Sequence, residues 1–266
     1  MSFKSYIMKN KKKLRRRRAL IVFLSVLAIL GMSTATFAWF TVNTFAGIDK
    51  FELKISTGED LRVSMSNHGS DIEQYVKIIT NPMIDGYLRN DGKKLDDIVL
   101  DPVTTNNGSS FTFQNGTSAT KNENYLEFEC YFIATREMWV HLSTEAFETN
   151  GQKVKGTEVT TSSPAPQSDV VRAMRMDFQT ASDFAAYEPN KGNPVTRLST
   201  FDLPSGAMNY NNSNRLFHLE KLTPTKTTIR LWIEGEDPEC DNDIQGADLQ
   251  IQLPFVGCDE NGTPIA

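Results

Sequence analysis

The stretch Leu126-Glu127-Phe128-Glu129-Cys130-Tyr131-Phe132 decides the fold. Its apolar residues recur at every second position, which is the period of a β-strand and not of a helix, and charged or amphipathic residues stand between them. A strand written this way buries one face and wets the other. The alternation returns in Phe51-Glu52-Leu53-Lys54-Ile55, in Met138, Val140 and Leu142, and in Met174, Met176 and Phe178. It appears again in Ile229, Leu231 and Ile233, and in Leu249, Ile251, Leu253 and Phe255. Strands with one dry and one wet face belong to antiparallel sheets packed face to face, so the expected class is all-β, an antiparallel β-sandwich.

The pairs Asp91-Gly92, Asn107-Gly108, Asn115-Gly116 and Asn150-Gly151 supply the turn chemistry between strands. One helix is expected near residue 70, where Ser70 caps with Glu73 three on and Ile72, Tyr75, Val76 and Ile79 share a face. Residues 151–168 are polar with Pro164 and Pro166 and read as a long loop inside a single domain over residues 39–266.

Charge divides the chain unevenly. Residues 1–38 hold nine basic side chains, among them the run Arg15-Arg16-Arg17-Arg18, and no acidic one. The other 228 residues are left with 19 basic groups against 33 acidic ones. A body that acidic repels phosphate backbones, which argues against nucleic acid as a partner.

The basic run is followed by an uncharged apolar stretch, Ala19 to Met32, and then by Ser33-Thr34-Ala35-Thr36-Phe37-Ala38. Basic, apolar and small-residue regions in that order make a secretory signal with cleavage after Ala38. A helix over 19–40 is also long enough to span a bilayer as a retained anchor. Both readings stay open. In either, the basic flank stays in the cytoplasm and the acidic body is exported to the cell surface or the extracellular space.

Past Ala38, Phe40, Val42, Thr44, Ala46 and Ile48 alternate with Trp39, Thr41, Asn43, Phe45 and Gly47. An apolar strand beside a free end needs a sheet edge. It finds one in its own domain or, by β-augmentation, in a neighbour's.

Thr36-Phe37-Ala38-Trp39-Phe40 resembles the pattern that ends SipW-dependent signal peptides of Gram-positive bacteria, which precede the TasA/camelysin family of surface and biofilm-fibre proteins. Trp232-Ile233-Glu234-Gly235-Glu236-Asp237-Pro238-Glu239-Cys240 is similar to a stretch in surface proteins of clostridia-like bacteria with the same kind of signal. The first resemblance implies a jelly-roll sandwich and fibres built by donor-strand exchange, with Phe40, Val42, Thr44, Ala46 and Ile48 as the donated face.

Chemistry is sparse. The three histidines, His68, His141 and His218, form no HExxH, and no GxSxG elbow, P-loop or dinucleotide fingerprint occurs. His141 and His218 read as surface residues of strands. Asp237, Glu239, Asp241 and Asp243 are the weak candidates for calcium, but they lack the spacing of a calcium loop. Trp232 and Tyr131 on wet strand faces could stack against a sugar. Cys240 and Cys258, 18 residues apart, could close a disulfide, leaving Cys130 as a buried hydrophobe. The chain ends without an apolar tail, which points away from covalent wall attachment. The expectation is therefore a non-enzymatic exported surface or matrix protein without a cofactor, partnered by the membrane if uncleaved and by copies of itself. The alternative is a membrane-tethered binding module for a carbohydrate or another ligand.

Overall fold

The computed structural model describes residues 46–56, 60–149, 152–191 and 197–265. The chain divides into two compact units, Met1–Asn43 and Thr44–Ala266, and the described residues all lie in the second. The signal or anchor segment, Ala38 and the residues Phe40, Val42 and Thr44 thus lie outside the described residues. Among the described residues no helix is long and apolar enough to cross a membrane.

The alternating stretches of the sequence are strands. In chain order they begin with β1 (Ala46–Ile55), β2 (Leu61–Ser64), β3 (Ile78–Ile79) and β4 (Pro102–Val103). The middle of the chain supplies β5 (Leu126–Ala134), β6 (Met138–Leu142), the hairpin β7 (Phe147–Thr149) with β8 (Gln152–Val154), and β9 (Glu158–Thr160). Then follow β10 (Met174–Gln179), β11 (Phe184–Tyr187), β12 (Arg215–Leu219), β13 (Thr225–Glu234) and β14 (Ala247–Cys258). Residues 151–168 are thus not a plain loop, because they carry β8 and β9.

Two six-stranded sheets result. One runs β12-β6-β14-β1-β3 with β9 also on β14, and the other runs β11-β10-β13-β5-β2 with β4 also on β13. The inward residues of both form one apolar cluster. Phenylalanines bridge the layers: Phe51 meets Phe128 edge-on at 5.5 Å, Phe255 meets Phe132 at 5.0 Å, and Phe178 meets Phe255 at 5.8 Å. Edge-to-face pairs of this kind add about 0.5–1.5 kcal/mol each beyond the area they bury.

One pairing departs from the antiparallel expectation. β1 lies parallel to β14 over its whole length, from Ala46 opposite Ala247 to Ile55 opposite Phe255. Most of the domain separates these two strands, so the long crossover that a parallel pair requires is already present. The short β4 also pairs parallel to β13.

The helix expected near residue 70 is a single 3-10 turn, Ile72–Gln74. Its continuation is drawn into β structure: Val76 N–H donates to Val63 O at 2.8 Å, and Ile78–Ile79 pair with β1. The helix begins later, as α1 (Asn81–Leu88), where Pro82 sits in the first turn and Ile84 and Leu88 face the core. A second short helix, α2 (Val170–Ala173), leads directly into β10.

Candidate functional site

Two features gather the residues that the sequence singles out: the first strand, and the turn after β13. Of the donor-strand residues, Ala46 and Ile48 are described, and both are buried on β1. That strand is interior to its sheet. β14 satisfies one edge, while the other meets Ile78–Ile79, Leu100 and the side chain of Asn81. Asn81 stands in for a missing strand, accepting from Phe51 N–H at 2.7 Å through Oδ1 and donating to Asp49 O at 3.0 Å through Nδ2. In this single chain the strand therefore completes its own sheet.

The Trp232–Cys240 stretch closes β13. Trp232 is expected on a wet face, yet it is fully buried. The segment before β5 folds over it: Phe111 lies edge-on at 5.2 Å and stacks on Tyr125 at 4.2 Å. Trp232 Nε1 donates to Glu234 Oε2 at 3.1 Å. Trp232 is thus no sugar platform, and Tyr131, which stands opposite Lys226 six positions away along β13, does not join it. Around Trp232 the outer face of this sheet is covered by chain rather than by solvent, which is why the polar residues there had to find partners inside the protein.

Arg175, outward on β10 opposite Trp232, is the centre of those partnerships. It is 2% exposed, pairs with Glu188 at 2.9 Å and with Asp237, and donates to the carbonyls of Arg172 and Met174. Glu188 and Asp237 are equally buried as side chains. Asp237 Oδ1 also accepts from Glu239 N–H at 2.9 Å, and Glu234 Oε1 accepts from Glu236 N–H at 3.3 Å. Burial pushes the Glu234 carboxyl above its ordinary range. Two carboxylates on one guanidinium form a lock: they tie β10, the segment after β11 and the turn after β13 together.

The calcium candidates do not converge. Asp237 is taken by Arg175, Glu239 pairs with Arg172 at 3.1 Å, and Asp241 Oδ1 accepts from Asp243 N–H at 2.8 Å as a helix cap. Among the described residues no group of three or more His, Cys, Asp or Glu side chains is placed to hold a metal ion. Asp237 is also far from the solvated loop residue that its sequence context suggests.

A second buried pair lies one row along the same face. Arg230 donates to Asp177 Oδ1 at 3.0 Å, Glu127 Oε2 at 2.7 Å and Gln179 Oε1 at 2.9 Å. Asp177 is fully buried and its Oδ2 has no hydrogen-bond partner. Gly108, at φ +68°, packs against that oxygen and the Phe184 ring, and any Cβ there would strike the ring. Desolvation outweighs the attraction of Arg230 and pushes the Asp177 carboxyl up to about 7.

His141 is not at the surface either. It is fully buried beneath Tyr210, its Nδ1 donates to Asn214 Oδ1 at 2.8 Å, and its Nε2 is unpartnered. Burial holds its pKa below the ordinary histidine value. His218 is half-buried, 3.1 Å from Glu137.

Cys130, Cys240 and Cys258 are free thiols. Cys240 packs on the main core and Cys258 belongs to a separate cluster with Tyr210 and Val256, so the 18-residue spacing brings no bridge here. Burial pushes the Cys240 and Cys258 thiols up to about 12, which makes both weak nucleophiles. These clusters bind the fold together.

The comparisons add no relative: no protein-family model, no curated protein and no solved structure matches the chain.

Proposed function

We propose that this chain is an exported, non-enzymatic structural protein of a bacterial cell surface or matrix, with a jelly-roll-like sandwich as its body. The observation that carries the reading is the order of three features along the chain. A basic run and an apolar stretch end at a small-residue site, Ala38, and the first described strand of the sandwich opens at Ala46, eight residues later. Export places that strand next to a membrane helix or a newly made end. The deeply buried charged side chains Arg175, Glu188 and Asp237 are spent on one internal lock, which suits a scaffold better than a catalyst.

Assembly would proceed by exchange of the first strand. β1 is held in its own domain by β14, at the far end of the sequence, and on its other edge by β3, Leu100 and Asn81. A strand from another copy can meet the same partners in the same register, and the swap costs little because the contacts are identical. By the alternation of the sequence, Phe40, Val42 and Thr44 would continue the face of Ala46 and Ile48 and lengthen the donated strand.

The test uses protein beginning at residue 39, wild type beside Val42→Asp, followed by light scattering and thermal melting. Polymer in the wild type and a folded monomer in the variant is the expected result. A wild-type protein that stays monomeric at high concentration overturns assembly by exchange.

A further inference from the structure

An open groove of about 510 Å³ lies between the β10–β11 turn and the start of β13. It belongs to none of the locks described above, but it is built on one of them. Gln179 lines it and gives its Oε1 to Arg230 Nη1, and that guanidinium is itself fixed by Asp177 and Glu127. The amide can therefore face only one way, and its Nε2 has no protein partner among the described residues.

Other lining groups are held from behind in the same manner. The hydroxyls of Thr180 and Ser182 both engage Asp183 Oδ2, at 3.3 and 2.7 Å. His218 Nε2 is 3.1 Å from Glu137, and its ring leans on Trp139 at 4.9 Å. Lys226 Nζ is 2.8 Å from Glu129. Polar side chains that are already positioned lose little freedom when a ligand arrives.

The unspent groups define the ligand. Gln179, Thr225, Thr228 and Glu220 line the groove, and the Gln179 Nε2, the two threonine hydroxyls and the Glu220 carboxylate make no hydrogen bond within the described residues. One amide donor, two groups that both donate and accept, and one strong acceptor are complementary to a molecule bearing several hydroxyls. Charge narrows the class. Lys226, the one Lys or Arg of the lining, faces a carboxylate, whereas Glu220 makes no ion pair within the described residues, so an anionic ligand would meet uncompensated negative charge. Pro224 and Ala181 offer small apolar surfaces, enough for the C–H face of a ring and too little for bulky apolar side chains.

We propose that this groove binds a sugar unit that carries no acidic group. The proposal is independent of export and assembly, since a surface scaffold and a tethered module can each display such a groove.

The test is saturation-transfer NMR on the full chain in dodecylphosphocholine micelles, which avoid sugar-headed detergents. The probes are cellobiose, N,N′-diacetylchitobiose and glucosamine, with glucuronic acid as the anionic control. Saturable transfer from at least one of the first three, and none from glucuronic acid, is expected. Thr228→Val and Glu220→Ala should each weaken binding about fivefold to tenfold, the loss of one hydrogen bond, while the remote exposed change Asp96→Ala leaves it unchanged. Glu220 is exposed, so its variant keeps the test valid if Thr228→Val disturbs β13. No saturable transfer from the three probes, binding indifferent to both variants, or glucuronic acid binding as well as the others would each overturn the proposal.

Discussion

Leu53 of the first described strand stands directly beside Leu253 of the last, and both are fully buried. Their parallel register is the seam that closes the domain, because it joins segments that only the complete chain brings together. Leu53→Ala removes core contacts at the seam and leaves a cavity, so a loss of about 2–5 kcal/mol in chemical denaturation is expected. A cost below 1 kcal/mol would show that β1 contributes little to closure.

Arg175 holds two buried carboxylates, Glu188 and Asp237. Arg175→Met keeps much of the volume but strands both acids in a site closed to water. A destabilisation of about 3–5 kcal/mol is the expected outcome. Combining it with Asp237→Asn and Glu188→Gln should recover part of that loss, since the stranded charges are then gone. If the triple variant is no more stable than Arg175→Met alone, the ionic account of this lock fails.

Asp177 makes a pH prediction with a definite sign. Its pKa in the fold is raised to about 7, against 3.8 as its ordinary value. Between those two values the folded chain retains a proton that the unfolded chain has released, so stability falls as pH rises from about 4 to 7 and levels off above. His141, held below its ordinary value, gives the opposite slope, with stability lost as pH falls below about 6.5. The difference between wild type and Asp177→Asn isolates the first effect. Urea midpoints measured from pH 4 to 8 should converge toward low pH and separate toward pH 7, with the variant the more stable there. Parallel curves would mean that Asp177 is ionised throughout.

The strands were legible because their cause is local. Alternation such as Leu126, Phe128, Cys130 and Phe132 needs only neighbours in sequence to be read, and the structure buries each of these residues. What covers the second sheet is not local. Trp232 lies on the side of β13 that alternation assigns to solvent, and only the arrival of Phe111 and Tyr125 from another part of the chain dries it. The same distance hid the locks, since Arg175 and Asp237 are 62 residues apart. The turn Asp237-Pro238-Glu239 therefore reads as a wet acidic loop until the chain is folded.

The helix near residue 70 failed for a related reason. Ile72, Tyr75, Val76 and Ile79 do share a helical face, but they also suit an edge segment, and β1 and β2 had unpaired edges to offer. Tertiary pairing outweighed local propensity. For α1 the signal was present in Asn81-Pro82 with Ile84 and Leu88 following, although eight residues give it little periodicity to read.

The central claim is that the sandwich is exported and stands outside the cytoplasmic membrane. Protease added to intact protoplasts of cells that make the full chain, followed by immunoblotting for the body, measures this directly. The account predicts digestion of the region from residue 46 onward in the full chain, and protection of a chain lacking residues 1–38. A full-length body that stays intact until the protoplasts are lysed would contradict it.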